Sequence, residues 1–212
     1  MLLDGSRALG VPLTQAQADA LSWLAGELGR WSARINLTAI LDPIEMADKH
    51  ILDSLSVLRA LEPEATTLLD AGSGAGFPGL PLAVARPEIS VTLVDAVAKK
   101  VGFLKHAIAQ LQLAPRVRAI HLKLQGNPVA EGIGPFDAAV SRALTDPARW
   151  AALAAPYLKP QGTLVVMAGS DAQPVALPGW TPPHVDTFRL PLTGDGRTLL
   201  RYGKATEAPR TA

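Results

Sequence analysis

Three observations predict an α/β fold for this 212-residue chain. Apolar residues recur at helical spacing through its first sixty positions, strand and helix patterns alternate from Ala65 onward, and a glycine-rich turn directly follows the first strand. The sheet is expected to be mostly parallel, to be covered by helices on both faces, and to end in an antiparallel hairpin. The boundaries are read as a helical extension over residues 1–62, the α/β domain over 63–205 and a disordered tail over 206–212.

Each element has a local reason. Leu21, Leu24, Leu28 and Trp31 are spaced by three and four, and Thr14 stands where an N-cap belongs. A second helix is expected from Pro43, carrying Met46, His50 and Ser54 at four-residue intervals, with Asp53 one turn from His50. Leu68–Ala71 reads as the first strand, 80–85 as a helix, Ser90–Asp95 as the second strand, and 98–111 as a helix facing Phe103, Leu104, Ile108 and Leu111 inward. Strands follow at 117–122, 136–141 and 163–167. A helix at 147–158 precedes the last of these, with Pro160-Gln161-Gly162 as the turn between them. Strands at 185–190 and 198–202 flank Thr193-Gly194-Asp195-Gly196 and form the terminal hairpin.

Composition narrows the function. There is no cysteine, so disulfides, thiolate metal sites and cysteine nucleophiles are excluded. The four histidines lack ligand spacing, so no metal is expected. No apolar run approaches the ~18 residues of a membrane span, and a soluble cytoplasmic protein is expected. Net charge is +1, so any nucleic-acid surface must be local. One candidate exists: Lys99, Lys100, Lys105, Arg116, Arg118 and Lys123 occur without an intervening acidic residue. That excess suits phosphates, and suits equally a solvated helix face with a loop.

The turn Asp70-Ala71-Gly72-Ser73-Gly74-Ala75-Gly76-Phe77-Pro78-Gly79 is the strongest signal of a nucleotide cofactor. A nicotinamide fingerprint would place its third glycine at position 77, where Phe77 stands. The alternation of Gly72, Gly74 and Gly76 behind Asp70 instead resembles the first motif of class I S-adenosylmethionine-dependent methyltransferases, which have a Rossmann-like sheet. Asp95, roughly 20 residues on at the end of the next strand, is placed to bind ribose hydroxyls.

Farther along, the chain resembles the glucose-inhibited division protein B family, guanine-N7 methyltransferases of small-subunit (16S) ribosomal RNA. The resemblance covers nearly the whole chain. It rests on Trp31, Asn36-Leu37-Thr38, Ile40, Glu45 and Lys49-His50-Ile51-Leu52-Asp53-Ser54, then on Asp70 to Gly79, Lys99-Lys100, Phe103-Leu104, Phe136-Asp137 and Ser141-Arg142-Ala143. It implies S-adenosylmethionine as cofactor, with Gly72 and Phe77 lining it, Asp95 on its ribose, Leu124 and Gln125 at its adenine, and Arg142 beside the methyl group. It also tips Lys99, Lys100, Arg116, Arg118 and Lys123 towards RNA, and implies 16S rRNA or the small subunit as partner. Nothing in the helices resembles a dimer seam, so a monomer is expected. Two departures stand out. Lys123-Leu124-Gln125 replaces the family's Arg-x-Glu, and Ala168 stands where a lysine is common.

Arg142, at the end of a central strand, can clamp an anion or close the strand end with a salt bridge. His50, Asp53 and Ser54 allow a general base, a ligand pair or a docked helix with satisfied polar groups, and the third is favoured. Without cysteine, the covalent route to pyrimidine C5 is closed. Ser141-Arg142-Ala143-Leu144 also differs from the Asn/Asp-Pro-Pro-aromatic segment of amino-group methyltransferases. Guanine N7 offers a ready lone pair and requires no base. A methyltransferase of small molecules or proteins, and a cofactor-binding module without catalysis, are the rival readings.

Overall fold

The computed structural model describes residues 1–142 and 146–205. The expected tail at 206–212 and Ala143, Leu144 and Thr145 lie outside the described residues. The chain opens with α1 (Leu2–Ala8) and the long α2 (Gln15–Ile35). Thr14 caps α2 as expected, its Oγ1 accepting from Gln17 N–H, while Gln17 Oε1 accepts from Thr14 N–H. Gln17 does more than close this box. Its Nε2 donates to Val84 O and Ala85 O, tying the start of α2 to the end of a helix in the sheet domain. Leu21, Leu24 and Leu28 are completely buried, an apolar stripe worth roughly 1.5–3 kcal/mol per side chain as an upper bound.

From Pro43 to Ala60 the backbone stays helical but changes its winding three times. It runs as α3 (Pro43–Met46), a π-helical turn (Ala47–Leu52), α4 (Asp53–Ser56) and a 3-10 turn (Val57–Ala60). Asp42 caps its start through Oδ1, and Pro43 occupies the position where a missing N–H costs nothing. Sequence periodicity predicts a plain α-helix here. The π turn, closed by Asp53 N–H to Asp48 O five residues back, is the difference.

The sheet then follows: β1 (Thr67–Ala71), α5 (Gly79–Ala85), β2 (Ser90–Asp95), α6 (Ala98–Gln110), β3 (Val117–His121), α7 (Pro128–Glu131), β4 (Phe136–Arg142), α8 (Pro147–Ala154), β5 (Leu158–Gly169), β6 (His184–Arg189) and β7 (Gly196–Gly203). Strand order is β3-β2-β1-β4-β5-β7-β6, parallel except where β7 runs antiparallel to β5 and β6. β1 lies between β2 and β4, so the chain reverses direction of winding there and opens a crevice at the carboxyl ends of β1 and β4.

Two cores cover the sheet. Leu68, Leu93 and Val140 pack with α2, α5 and α6 on one face, and Leu69, Ala139 and Leu164 pack with Trp150 and Tyr157 on the other. Two local expectations change. Leu111 is only half-buried. Pro160-Gln161-Gly162 sits inside β5, where the register against β4 jumps from Phe136↔Leu158 to Ala138↔Thr163. The segment is therefore a bulge within the strand.

Candidate active site

The glycine turn is zipped onto the end of β2. Gly72 N–H and Ser73 N–H both donate to Val94 O, at 2.8 and 3.0 Å, and Ser73 Oγ accepts from Val94 N–H. Gly74 N–H donates to Asp95 Oδ2 at 2.9 Å, and Asp95 Oδ1 accepts from Val97 N–H at 2.8 Å. Gly72, Gly74 and Gly76 all have positive φ, but they are glycine for different reasons. A Cβ on Gly76 would lie 2.4 Å from Leu80 Cδ1, so that position serves packing. One on Gly74 would meet nothing nearer than 3.9 Å, so the turn is open there to a ligand.

Asp70 lies beneath this turn, fully buried, with Oδ2 accepting from Gly79 N–H at 2.9 Å. Its Oδ1 has no hydrogen-bond partner among the described residues. Burial pushes its pKa up to about 7 against the opposing pull of Gly79 N–H and Arg142. A buried oxygen short of a donor at the floor of the crevice fits a cofactor that brings a cationic amine. Beside it, a recess of about 310 Å³ is lined by Gly72, Asp95, Leu122, Lys123, Leu124 and Arg149. Asp95 and Leu124 thus meet on one slot, of a kind that suits an adenosine. Gln125 does not line it. Its backbone N–H is held by Glu131 Oε1 at 2.9 Å, and Glu131 Oε2 accepts from Tyr157 O–H at 2.5 Å. Glu131, on α7, thereby braces this loop through Gln125 N–H and the Tyr157 hydroxyl.

Phe77, at the end of the turn, stacks on the His50 ring at 4.9 Å, and the Arg142 guanidinium stands 5.6 Å from the Phe77 centroid. Arg142 Nη1 donates to Lys49 O at 3.0 Å, bolting the π turn to the end of β4. A second recess, of about 340 Å³, opens here between Ile40, Lys49, His50, Asp53, Arg142 and Arg197. Burial lowers the Arg142 pKa, with Asp53 and Asp70 opposing the change. His50 is pushed down to about 4, chiefly by burial and then by Arg142, so its ring is neutral at pH 7. His50 Nε2 lies 2.8 Å from Thr38 Oγ1, and its Nδ1 is buried with no hydrogen-bond partner among the described residues. Ser54 Oγ is spent on His50 O.

The hairpin supplies groups the sequence did not reveal. Arg197 Nε approaches Asp53 Oδ1 at 3.4 Å, and Lys49 Nζ bridges Glu45 at 2.7 Å and Asp195 at 3.3 Å, which raises its pKa. Asp48, fully buried, accepts from Leu192 N–H, Thr193 N–H and Thr193 O–H. Met167, Ala168 and Gly169 also line this recess. Arg197 lines the same recess as Ala168.

The basic residues divide. Lys99, Lys100 and Lys123 follow the carboxyl ends of β2 and β3, on the crevice side. Arg116 precedes β3 at the opposite end of the sheet, where its guanidinium donates to Ile89 O and Ala83 O. Arg118 Nε donates to Thr92 Oγ1. The structure does not bring Arg116 and Arg118 to the three lysines.

A 3-2-1-4-5-7-6 sheet, an open glycine turn and a carboxylate at the end of β2 define a class I methyltransferase of Rossmann-like fold, with S-adenosylmethionine as cofactor. Solved structures of the same fold include a SAM-dependent methyltransferase from Aquifex aeolicus (TM-score 0.54, 16% identity, 77% of this chain and 94% of that one). TrmN from Thermus thermophilus is another (TM-score 0.54, 17% identity, 73% and 48%). Sequence comparison is more specific. The family model for rRNA small subunit methyltransferase G matches residues 17–175. Proteins named ribosomal RNA small subunit methyltransferase G are 44% identical over 207 residues in Anaeromyxobacter sp. (strain Fw109-5), covering 95% of each chain. The one from Myxococcus xanthus is 44% identical over 212 residues, covering 96% of this chain and 95% of the relative. The chain belongs to the rRNA small subunit methyltransferase G family.

Proposed function

We propose that this protein transfers the methyl group of S-adenosylmethionine to N7 of a guanine in small-subunit (16S) ribosomal RNA. The observation that carries this reading is the recess around Arg142. It adjoins the cofactor turn through Phe77, has Lys49 and Arg197 among its walls, and offers neither a thiol nor a protonated imidazole. When bound, the cofactor supplies an activated methyl on a sulfonium. Gly72 and Gly74 would carry it past the end of β1, Asp95 would hold its ribose, and Leu124 would pack against its adenine.

The protein's contribution is then placement. Guanine N7 presents a lone pair, so attack removes no proton, and holding N7 in line with the methyl group is the main demand on the site. Arg142, fixed by Lys49 O and poised over Phe77, can donate to O6 beside that nitrogen. Lys99, Lys100 and Lys123 on the crevice side suit the RNA backbone. The test is to incubate the protein and labelled cofactor with small ribosomal subunits that lack the modification, then map the labelled base. Label at N7 of one guanine is expected. Label on a pyrimidine, on protein, or only on small metabolites overturns the reading.

A further inference from the structure

We propose that Asp53 reads the target base: its carboxylate accepts the N1–H and N2–H of guanine while the O6 and N7 edge lies towards Arg142. This inference rests on the guanine-N7 reading above and names the group that makes the base a guanine.

Asp53 differs from the other buried carboxylates of this fold in combining a shortage of donors with a place on the wall of a recess. Asp48 accepts three hydrogen bonds from the hairpin, Asp95 accepts two from backbone N–H groups, and Asp70, whose Oδ1 also lacks a donor among the described residues, borders neither recess. Asp53 is only 5% exposed, yet its one close partner is Arg197 Nε at 3.4 Å, beyond the usual reach of an N–H···O bond. Among the described residues, no other group donates to its side chain. Buried carboxylates are normally saturated, so one that borders a concave recess and lacks donors is a receptor for donors from a ligand.

The chemistry of the recess selects the donor. Arg142, on the wall next to the cofactor turn, can only donate; Asp53, when ionised, can only accept. Guanine matches both, with acceptors O6 and N7 on one edge and donors N1–H and N2–H on the next. Adenine mismatches both. Its N6 amino group would face the guanidinium, and its N1 lone pair would face the carboxylate. Such a mismatch leaves buried polar groups unpaired, the situation in which hydrogen-bonding sites discriminate most strongly.

The same carboxylate assists the reaction. The N7 lone pair forms the new N–C bond, the S–C bond breaks with its electron pair remaining on sulfur, and the positive charge passes from the sulfonium to the purine. No proton leaves. As the ring becomes cationic, its N1–H grows more acidic and its bond to Asp53 strengthens, so the interaction favours the transition state over the bound substrate.

The experiment compares guanine with inosine, which lacks the N2 amino group, at the target position of a reconstituted small subunit. Wild type is expected to favour guanine by about 10-fold or more, the worth of a hydrogen bond to a charged group. Asp53→Asn should lower guanine turnover by about 100-fold and bring the guanine-to-inosine ratio close to one, while its affinity for S-adenosylmethionine stays at the wild-type level. Arg197→Ala removes the ion pair together with the contacts of Arg197 to Gly196 O and Asp195; whatever it does to overall turnover, it should keep the ratio. A D53N protein that is slow but retains the wild-type ratio assigns Asp53 to scaffolding and overturns the inference. So does a wild type that treats the two bases alike, a measurement that needs no variant to fold. A wild type that binds cofactor but methylates no guanine sinks the functional reading, and this one with it.

Discussion

The turn after β1 and the recess beside it are held by different materials. Around Gly72 to Gly79 the bonds run largely between backbone groups, with Ser73, Asp70 and Asp95 as short side-chain braces. Around Arg142 the structure depends on charged side chains from three remote segments: the π turn, the end of β4 and the hairpin. A backbone-built site presents the same surface whatever side chains surround it. A side-chain-built site can change its preference at single positions. The division matches the chemistry, because the cofactor is constant across a large class of enzymes, whereas the substrate distinguishes one member from another.

The contrast can be broken most severely at Gly79. A Cβ there would lie 2.2 Å from Leu93 Cδ2 and 2.7 Å from Asp70 Oδ2, so Gly79→Ala should cost about 3 kcal/mol in urea denaturation and abolish cofactor binding. Retained cofactor affinity would show the turn to be more plastic than its contacts imply. Next comes Arg142→Ala, expected to lower methyl transfer about 100-fold while the cofactor dissociation constant moves far less. An equal loss in both would move Arg142 to the cofactor side of the comparison.

A pH test separates the two regions without loss of fold. Asp70 has a folded pKa near 7, above its unfolded value, so its contribution to stability falls as pH rises from about 4 to about 7. His50 has a folded pKa near 4, below its unfolded value, so its contribution is present above about 6.5 and is lost as pH falls to about 4. The slopes oppose each other. Asp70→Asn should therefore raise Tm at pH 8, by about 3 °C for each kcal/mol relieved, and should leave a protein more acid-sensitive than wild type between pH 6.5 and 4.5. A variant with an unchanged pH profile would contradict the buried, donor-poor environment of Asp70.

The smallest effects concern the basic residues. Lys99→Ala and Lys100→Ala should each weaken RNA binding and reduce its salt slope by about one, with Tm unchanged. Arg116→Ala should leave the salt slope alone and lower stability by about 1–2 kcal/mol, since its guanidinium holds Ile89 O and Ala83 O. A salt slope altered by Arg116→Ala would return that residue to the RNA surface.

What could be read from the sequence follows the same line. The cap at Thr14, the helix start at Pro43, the parallel strands and the placement of Asp95 depend on neighbours a few residues away or on simple periodicity, and each was visible. Arg197, Asp195 and Lys49 were not visible as a group, because the bonds between the π turn and the hairpin span about 145 residues and leave no periodic trace. Arg116 misled for a related reason. A run of like charges says nothing about which members will find carbonyl oxygens to hold.

The π turn at Ala47–Leu52 carries a final consequence. It lets one short helix face two directions with independent settings: Met46, Ala47 and Ile51 are buried, with Met46 and Ala47 lining an apolar cavity against α1 and α2, while Lys49, His50 and Asp53 face the recess. One extra residue in the winding acts as a vernier between these faces. Its removal would rotate Lys49, His50 and Asp53 relative to the cofactor turn, and would turn Asp48, Ile51 and Leu52 out of their buried places in the same movement.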